Sequence, residues 1–248
     1  MRSYQEPLLP RHVWGLIIAI LVVLLAICLS PAYGDDFFEG GGFSEESPSA
    51  VCIVKVSELP LQANSVSYIG TGTFISDRLI LTCYHNIRDL DQNPTKHGLK
   101  VYTKRGHETS KVKVVHKNKE QDLCLLLTED SMLVVPMLVS SGVNSTGDIQ
   151  TIGFDPKHKQ VRVYLGTFDS KQSQLTVRKG YGPVWFQYKS RTVQGMSGGP
   201  VVYLPTNELV GVIVSSSVEH NGLSQAVNLK RIQQFLDGYK GETGSLGL

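Results

Sequence analysis

The sequence predicts an all-β domain, a sandwich or a barrel, with a hydrophobic helix before it and one helix at its C-terminal end. From about residue 50 the chain consists of strand-sized runs rich in Val, Ile, Tyr and Thr, such as AVCIVKV, RLILTCY and ELVGVIVSS. Turn residues separate these runs at intervals of about a dozen residues, as in sandwiches and barrels. The stretch AVNLKRIQQFLDGY instead carries apolar residues at helical spacing.

The composition is that of a folded protein with a core of ordinary size. Of the 248 residues, 41% are hydrophobic and 19% are charged, which is typical of globular chains. The formal net charge is only +2 and the basic residues are scattered. The sequence therefore gives no indication of a nucleic-acid partner.

The first hydrophobic element is an uncharged run, VWGLIIAILVVLLAICL, at residues 13–29. As a helix it is about 26 Å long, slightly less than the hydrocarbon core of about 30 Å. It is also slightly longer than the apolar region of a signal peptide, about 7–15 residues. Arg2 and Arg11 precede it and acidic residues follow, so the positive-inside rule predicts that the downstream chain is exported.

Two interpretations of this segment stay open, a signal peptide cleaved after Gly34 or a retained membrane anchor. Ala32 and Gly34 supply the small residues that cleavage requires. A lipid-modified Cys28 is disfavoured because Ile27 precedes it, and a buried core helix is disfavoured because no second long helix would pack against it. We therefore expect a periplasmic or secreted domain, or one anchored through residues 13–29 and lying outside the cytoplasm.

The sequence divides into four parts. Residues 1–34 are assigned to the signal peptide or anchor, and residues 35–49, acidic and glycine-rich, to a flexible linker. Residues 50–240 form the predicted β domain, and residues 241–248 a flexible tail.

The strongest chemical motif is QGMSGGPVVY, residues 194–203, in which Ser197 stands among three glycines. A serine hydroxyl is a poor nucleophile unless a base, a group that orients the base, and donors for a developing oxyanion surround it. A glycine two positions before the serine adopts conformations closed to other residues. The N–H groups of Gly195 and Ser197 can then converge on one oxyanion hole.

GMSGG also fits the G-x-S-x-G nucleophile elbow, which needs a strand-to-helix turn followed by an acid and then a histidine. Strand-like runs follow Ser197 instead, and His220 precedes Asp237. The elbow is therefore disfavoured, and the base is expected upstream.

His85 is the predicted base, because it lies just past an apolar strand that ends in a short polar turn, a rigid mount. Asp122 is the predicted orienting acid, since it heads the apolar run DLCLLL, whereas Asp89, Asp91 and Asp130 lie in polar stretches. The other histidines past the hydrophobic segment lie among charged or turn residues and are expected at the surface: His97, His107, His116, His158 and His220.

Together these motifs resemble those of the chymotrypsin-fold, trypsin-like serine peptidases. GTFISDRLILTCYHNI resembles the family's histidine motif, DLCLLL its aspartate motif and GMSGGP its serine motif, and all three occur in the family's order. The resemblance spans roughly residues 50 to 240. It implies two packed six-stranded antiparallel β-barrels with the site between them, His85 and Asp122 on the first and Ser197 on the second.

The resemblance implies a serine endopeptidase that acts on polypeptides through an acyl-enzyme intermediate. Ser197 would attack the carbonyl, His85 would transfer its proton, and Asp122 would hold the imidazole. Gly195 and Ser197 would bind the oxyanion through their N–H groups. This chemistry needs no cofactor, and no metal-ligand spacing appears among Cys52, Cys83 and Cys124.

The resemblance also implies a set of substrate-binding residues. The set is Arg191, Thr192, Val214, Ser215 and Ser216, with residues near Leu223–Ala226 completing the primary pocket. The last three of the set fall where the family pairs the substrate as an added strand. Arg191 either favours an acidic substrate side chain or turns to the surface. Ile213 replaces the histidine of glutamyl endopeptidases, which disfavours a glutamate preference.

Departures from the digestive members place the chain nearer to the HtrA-type and glutamyl-endopeptidase-like bacterial branches. It lacks an I-V-G-G start, and Met196 replaces the aspartate that would pair with such a new N-terminus. Asn86 replaces the cysteine that usually follows the histidine. Cys83 and Cys124 stand where alanine is usual, and either pack as small hydrophobes or pair with each other.

One alternative function stays open. If Met196 turned the Gly195 N–H away from the oxyanion hole, the chain would be a catalytically inactive peptide-binding module.

Overall fold

A computed structural model of the chain describes residues 42–59, 67–142, 146–169, 176–178, 182–215 and 223–241. All of them belong to one unit, Phe38–Leu248. The hydrophobic segment 13–29, the cleavage motif, Ser216 and most of the predicted tail lie outside the described residues. Within the described ranges, no helix is long and apolar enough to span a membrane.

The first half of the domain is a seven-stranded antiparallel sheet. Its strands are β1 (Val51–Glu58), β2 (Ser67–Phe74), β3 (Leu79–Thr82), β4 (His97–Thr103), β5 (Glu108–Thr109), β6 (Val112–Asn118) and β7 (Leu123–Thr128). Their spatial order is β5-β4-β1-β2-β3-β7-β6. Between β3 and β4 lie a 3₁₀ helix, Tyr84–Ile87, and a short helix α1, Arg88–Gln92.

The second half is also a seven-stranded antiparallel sheet. Its strands are β8 (Thr146–Asp155), β9 (Gln160–Asp169), β10 (Thr176–Arg178), β11 (Gly182–Ser190), β12 (Pro200–Tyr203), β13 (Glu208–Ser215) and β14 (Ser224–Asn228). Their order is β10-β11-β14-β13-β12-β8-β9, and β11 also pairs with β9. That extra pairing closes six strands into a barrel, with β10 attached to its outside.

The predicted all-β, chymotrypsin-like fold is confirmed. Each sheet has one strand more than the six expected, because β5 and β10, only two and three residues long, are added at an edge. The two halves differ in closure: among the described residues, backbone pairing closes only the second sheet.

The long apolar runs arise because strands are covered on both faces. In β1 the side chains of Cys52, Val54 and Val56 pack into the core of the first sheet. The alternate residues Val51 and Ile53 pack into a cluster that also includes residues of the second sheet. Side chains of successive strand residues point to opposite faces, so a strand buried on both sides is apolar throughout.

The predicted terminal helix is present as α2, Leu229–Asp237. It begins later than the apolar spacing indicated, because Ala226 and Val227 belong to β14. Asn228 is its N-cap, and the Asn228 Oδ1 accepts a 3.0 Å hydrogen bond from the Arg231 N–H. Leu229, Ile232, Phe235 and Leu236 are its buried residues.

The described part of the predicted linker, residues 42–49, is attached to the domain. Phe43 forms a bridge with Val161 of β9, and the Val161 N–H donates to the Gly42 carbonyl at 2.8 Å. Lys104 Nζ donates to the Ser47 carbonyl at 2.7 Å. The chain therefore contacts the second sheet before it enters β1 of the first.

Candidate active site

His85 is held at the end of a fully buried strand. The four residues of β3 are buried, and the chain then turns at Cys83 into the 3₁₀ helix that carries His85. The Tyr84 N–H donates to the Asp122 carbonyl at 3.2 Å, which ties this helix to the residue preceding β7. The imidazole thus lies just past a buried strand, on backbone that is hydrogen-bonded to the residue before β7.

Asp122 binds His85 at two points. The His85 backbone N–H donates to Asp122 Oδ1 at 2.9 Å, and the His85 ring Nδ1 lies 2.6 Å from Asp122 Oδ2. An ionised carboxylate can only accept, so Nδ1 carries the proton and Nε2 is left as the acceptor of the neutral ring. The side chains are 27% and 15% exposed, so the pair is shielded yet reachable.

Asp122 adopts a left-handed backbone conformation, with φ +56°. Among non-glycine residues, aspartate and asparagine tolerate this region best. The turn places the carboxylate beside the 3₁₀ helix before the chain enters β7.

Ser197 follows a tight turn at residues 193–196. The Met196 N–H donates to the Val193 carbonyl at 3.1 Å, and Gly195 in the third position has φ +96°. Gln194, in the second position, does not have a positive φ. This combination is typical of a type II turn, which requires a positive φ at its third residue and so favours glycine there.

Gly198 is needed for the close approach of the two sheets. Its φ is +86°, and a side-chain carbon there would collide with the Thr71 carbonyl oxygen and the Thr82 hydroxyl. The Gly198 N–H donates to the Ile213 carbonyl at 2.8 Å. The glycines around Ser197 therefore allow backbone from both sheets to meet at this serine.

Residues 193–198, called the serine turn below, contain two N–H groups that could bind a ligand. Neither the Gly195 N–H nor the Ser197 N–H has a hydrogen-bond acceptor among the described residues. Met196 between them is fully buried in the core of the second sheet, and its sulfur accepts from the Val193 N–H at 3.4 Å. An apolar side chain thus anchors the turn where an aspartate would need a charged partner.

The two halves of the domain are joined at Ser197. Its carbonyl accepts hydrogen bonds from the Thr71 N–H at 2.9 Å and from Asn86 Nδ2 at 2.8 Å. Asn86 directly follows His85, so the segments carrying the predicted base and nucleophile are in contact. All three predicted catalytic residues therefore lie in one region.

The Ser197 hydroxyl is bonded within its own sheet. Its Oγ donates to the Val214 carbonyl at 3.1 Å, and among the described residues no hydrogen bond joins it to His85. The register between β13 and β14 shifts between Ile213 and Ser215, and the residue at this bulge is Val214.

The predicted substrate-binding residues separate into two environments. Thr192 is fully buried and its Oγ1 lies 2.7 Å from Ser224 Oγ, while Ser224 Oγ also donates to the Ser190 carbonyl at 2.9 Å. Arg191 is exposed, and its guanidinium carbon lies 5.5 Å from the centre of the Tyr164 ring.

The cysteines Cys52, Cys83 and Cys124 are free and buried, so the alternative in which Cys83 pairs with Cys124 is not realised.

One group of side chains could in principle hold a metal ion. Potential ligand atoms of Cys83, His85 and Asp122 lie within 4.8 Å of one another, and within the described residues no other group of three such side chains is this close. Burial raises the pKa of the Cys83 thiol well above its usual value, which keeps it in the neutral form that binds metals poorly. Its Sγ donates to the Ile213 carbonyl at 3.1 Å.

A second histidine–aspartate pair lies at the turn between β8 and β9. His158 Nδ1 is 2.7 Å from Asp155 Oδ2, which also accepts from the Tyr164 hydroxyl at 2.6 Å. The Lys157 N–H donates to Asp155 Oδ1 at 2.9 Å. Burial raises the pKa of Asp155, but the hydrogen bonds from Tyr164, His158 and Lys157 outweigh it and the net shift is downward. His158 is exposed, as expected, and its ring also contacts Asp155.

Sequence reasoning missed several neighbours of the site. The Tyr68 ring lies perpendicular to the His85 ring, 6.4 Å between centres. Thr71 and Asn86 reach the serine turn from the first sheet. Their signal was partial: Thr71 lies between the two glycines of SYIGTGTF, a spacing typical of close backbone approach.

Comparison with known proteins identifies the family of the chain. The sequence matches the profile of the family described as "Trypsin-like peptidase domain" over residues 70–212, more than half of the chain. No curated protein matches.

Two similar solved structures are those of the HtrA-type protease AlgW with a tripeptide and of a serine endoprotease from Yersinia pestis. They share 19% and 20% sequence identity with this chain, each with a TM-score of 0.62. The alignments cover 80% and 79% of this chain, which spans 62% and 64% of those proteins. They establish a shared fold.

Proposed function

Because the chain belongs to the family of trypsin-like peptidase domains, we propose that it is a serine endopeptidase using Ser197, His85 and Asp122. One observation carries the proposal. Asn86 is bonded to the Ser197 carbonyl while the adjacent His85 is bonded twice to Asp122. A base with a fixed tautomer is thereby held next to the backbone of a serine.

The proposed reaction proceeds in two halves. The Ser197 Oγ forms a bond to the peptide carbonyl carbon as its proton moves to His85 Nε2, and the Asp122 carboxylate stabilises the imidazolium. The Gly195 and Ser197 N–H groups bind the oxyanion. Breaking the C–N bond transfers the proton from His85 to the leaving amine. Water then attacks the acyl-enzyme by the same steps and releases the acid.

Two features support an active site over an inactive binding module. The positive φ of Gly195 fits a type II turn. If the peptide joining Gln194 to Gly195 were flipped, as the inactive module requires, the φ of Gly195 would be negative. The Ser197 hydroxyl donates to the Val214 carbonyl, and rotation about one side-chain bond redirects it. Catalytic hydrogen bonds often form only when substrate binds.

The substrate is proposed to bind along β13. Val214 and Ser215 would pair with an extended polypeptide as an added strand, continued by Ser216, which lies outside the described residues. Thr192, whose hydroxyl meets that of Ser224, would close the primary pocket with uncharged polar groups. Arg191 packs on Tyr164, so a surface role for it is favoured over recognition of an acidic side chain.

Export of the domain, or its anchoring outside the cytoplasm, is part of the same proposal and rests on residues 13–29 alone.

The test is hydrolysis of a peptide library by the full chain, with Ser197→Ala as the variant. We expect turnover by the wild type and a loss of about 10⁴-fold or more in the variant. The matched control is Ser140→Ala, a buried serine whose hydroxyl donates to the nearby Gly142 carbonyl, and it should keep wild-type rates. Tight peptide binding by a folded wild type without turnover would favour the inactive module.

A further inference from the structure

Thr71 in β2 of the first sheet contacts the serine turn of the second sheet through both its backbone and its side chain. Its N–H donates to the Ser197 carbonyl at 2.9 Å, and its Oγ1 donates to the Gly195 carbonyl at 2.8 Å. The Phe154 N–H donates to the same Oγ1 at 2.9 Å. Because the hydroxyl has one proton and accepts from Phe154, that proton is committed to Gly195. The Thr71 side chain is fully buried.

These contacts fix alternate peptide groups of the turn. The peptide joining Gly195 to Met196 is held at its carbonyl by the Thr71 hydroxyl and at its N–H by the Val193 carbonyl. The peptide joining Ser197 to Gly198 is held at its carbonyl by the Thr71 N–H and at its N–H by the Ile213 carbonyl. The proposed oxyanion donors, the Gly195 and Ser197 N–H groups, belong to the neighbouring peptide groups. Their directions therefore depend on the two peptides that are held.

We propose that Thr71 is a positioning residue whose hydroxyl keeps the Gly195 and Ser197 N–H groups aligned toward the oxyanion. This inference rests on the proposed peptidase function. Without it, the buried Gly195 carbonyl loses its donor, and a buried acceptor left unpaired favours any rotation that finds a new partner. Such a rotation moves the adjoining Gly195 N–H. The interaction acts on charge that develops only in the transition state, so its loss lowers kcat and leaves KM unchanged.

The experiment compares Thr71→Val with Thr73→Val in the full chain. Thr73 lies two residues further along β2 and is equally buried, and its hydroxyl has no hydrogen-bond partner among the described residues, so the same substitution removes no bond. We expect kcat for a peptide substrate to fall about 10–100-fold in Thr71→Val with KM within about 2-fold, since losing one oxyanion donor outright typically costs about 10²–10³. Thr73→Val should stay within about 2-fold of wild type in both constants. Thr71→Ser, which keeps the hydroxyl, should restore most of the rate.

The outcomes separate this inference from the proposed function. An inactive, folded wild type overturns the peptidase proposal itself. An active wild type with equal kcat in Thr71→Val and Thr73→Val overturns the role of Thr71, as does a Thr71→Val variant that loses thermal stability but no kcat. If Thr71→Val does not fold, Thr71→Ala and Thr71→Ser differ by the hydroxyl alone, and equal kcat in that pair overturns the inference.

Discussion

Two histidine–aspartate pairs of nearly identical length stand in different surroundings. His85 and Asp122 are joined at 2.6 Å, and His158 and Asp155 at 2.7 Å, both through Nδ1 and Oδ2. The side-chain oxygens of the first aspartate accept from the backbone N–H of its histidine and contact the ring, and the histidine's neighbour Asn86 binds Ser197. The second aspartate is 1% exposed and shared with Tyr164 and Lys157.

The difference shows that a short histidine–aspartate contact does not by itself identify a catalytic base. Asp155 uses its oxygens to close the turn between β8 and β9, which is a structural task. Both Asp122 oxygens contact His85, one at its backbone N–H and one at its ring Nδ1. Because Nδ1 faces the carboxylate, Nε2 is the ring nitrogen left to accept a proton. The two pairs differ in that only the segment carrying His85 is bonded to the serine turn, in which the Gly195 and Ser197 N–H groups have no acceptor among the described residues.

The largest expected effect comes from removing each imidazole. His85→Gln should lower kcat by about 10⁴–10⁶-fold, the range known for the base of a serine peptidase. His158→Gln, the matched variant, should leave kcat within about 2-fold, as expected away from the reacting groups. Steady-state kinetics on one peptide substrate measures both values. Comparable losses of kcat in the two variants would contradict the distinction between a catalytic and a structural histidine–aspartate pair.

The carboxylates sharpen the comparison. Asp122→Asn should lower kcat by about 10³–10⁴-fold with little change in fold, because asparagine also tolerates a φ of +56° and cannot accept in the same way. Asp155→Asn should keep most of the activity and lower the free energy of unfolding by about 1–3 kcal/mol, the cost of weakening charge-assisted hydrogen bonds. Kinetics paired with urea unfolding measures both, and a reversed pattern would contradict the assignment.

The acid dependence of stability should follow Asp155. Its pKa is lowered in the folded state, so near and below the ordinary value of about 3.9 the unfolded chain binds more protons than the native one. The stability that Asp155 contributes is therefore present above this value and is lost as the pH falls. Unfolding measured between about pH 3 and pH 6 should show a shallower acid loss in Asp155→Asn than in the wild type. Parallel curves would contradict the prediction.

The smallest expected effect is that of a thiol reagent on Cys83, which lies beside the His85–Asp122 pair. Cys83 is fully buried and burial raises its pKa, so N-ethylmaleimide should not modify it in the folded chain and activity should be unchanged. Mass mapping of the labelled cysteine peptides provides the measurement. Rapid labelling of Cys83 with loss of activity would show that this pair is far more open than its 27% and 15% exposure indicates.

Much of the fold was predictable from the sequence because covered strands have distinctive patterns. The first four residues of β1, 51–54, are all apolar since both faces of the strand are buried there. The start of α2 was not predictable from spacing, because Ala226 and Val227 continue an apolar pattern while pairing as a strand. The short strands β5 and β10 are too brief to leave a periodic signal.

The positions of His85, Asp122 and Ser197 were predictable because each stands at the end of an apolar run or in a glycine turn. The contacts of Thr71 and Asn86 were not, because they depend on how two distant segments meet. The contacts of Asp155 depend on how the hairpin of β8 and β9 closes. His158 illustrates the limit: charged neighbours indicated a solvated side chain, and only the folded hairpin brings Asp155 to it.

The most direct test of the central claim is reaction of the full chain with a fluorophosphonate, followed by mass mapping of the modified residue. A serine activated by His85 and Asp122 should be modified once, at Ser197, and His85→Gln should slow the labelling by at least about 10³-fold while His158→Gln does not. A folded chain that is never labelled, or one labelled equally fast without the His85 imidazole, would contradict the account.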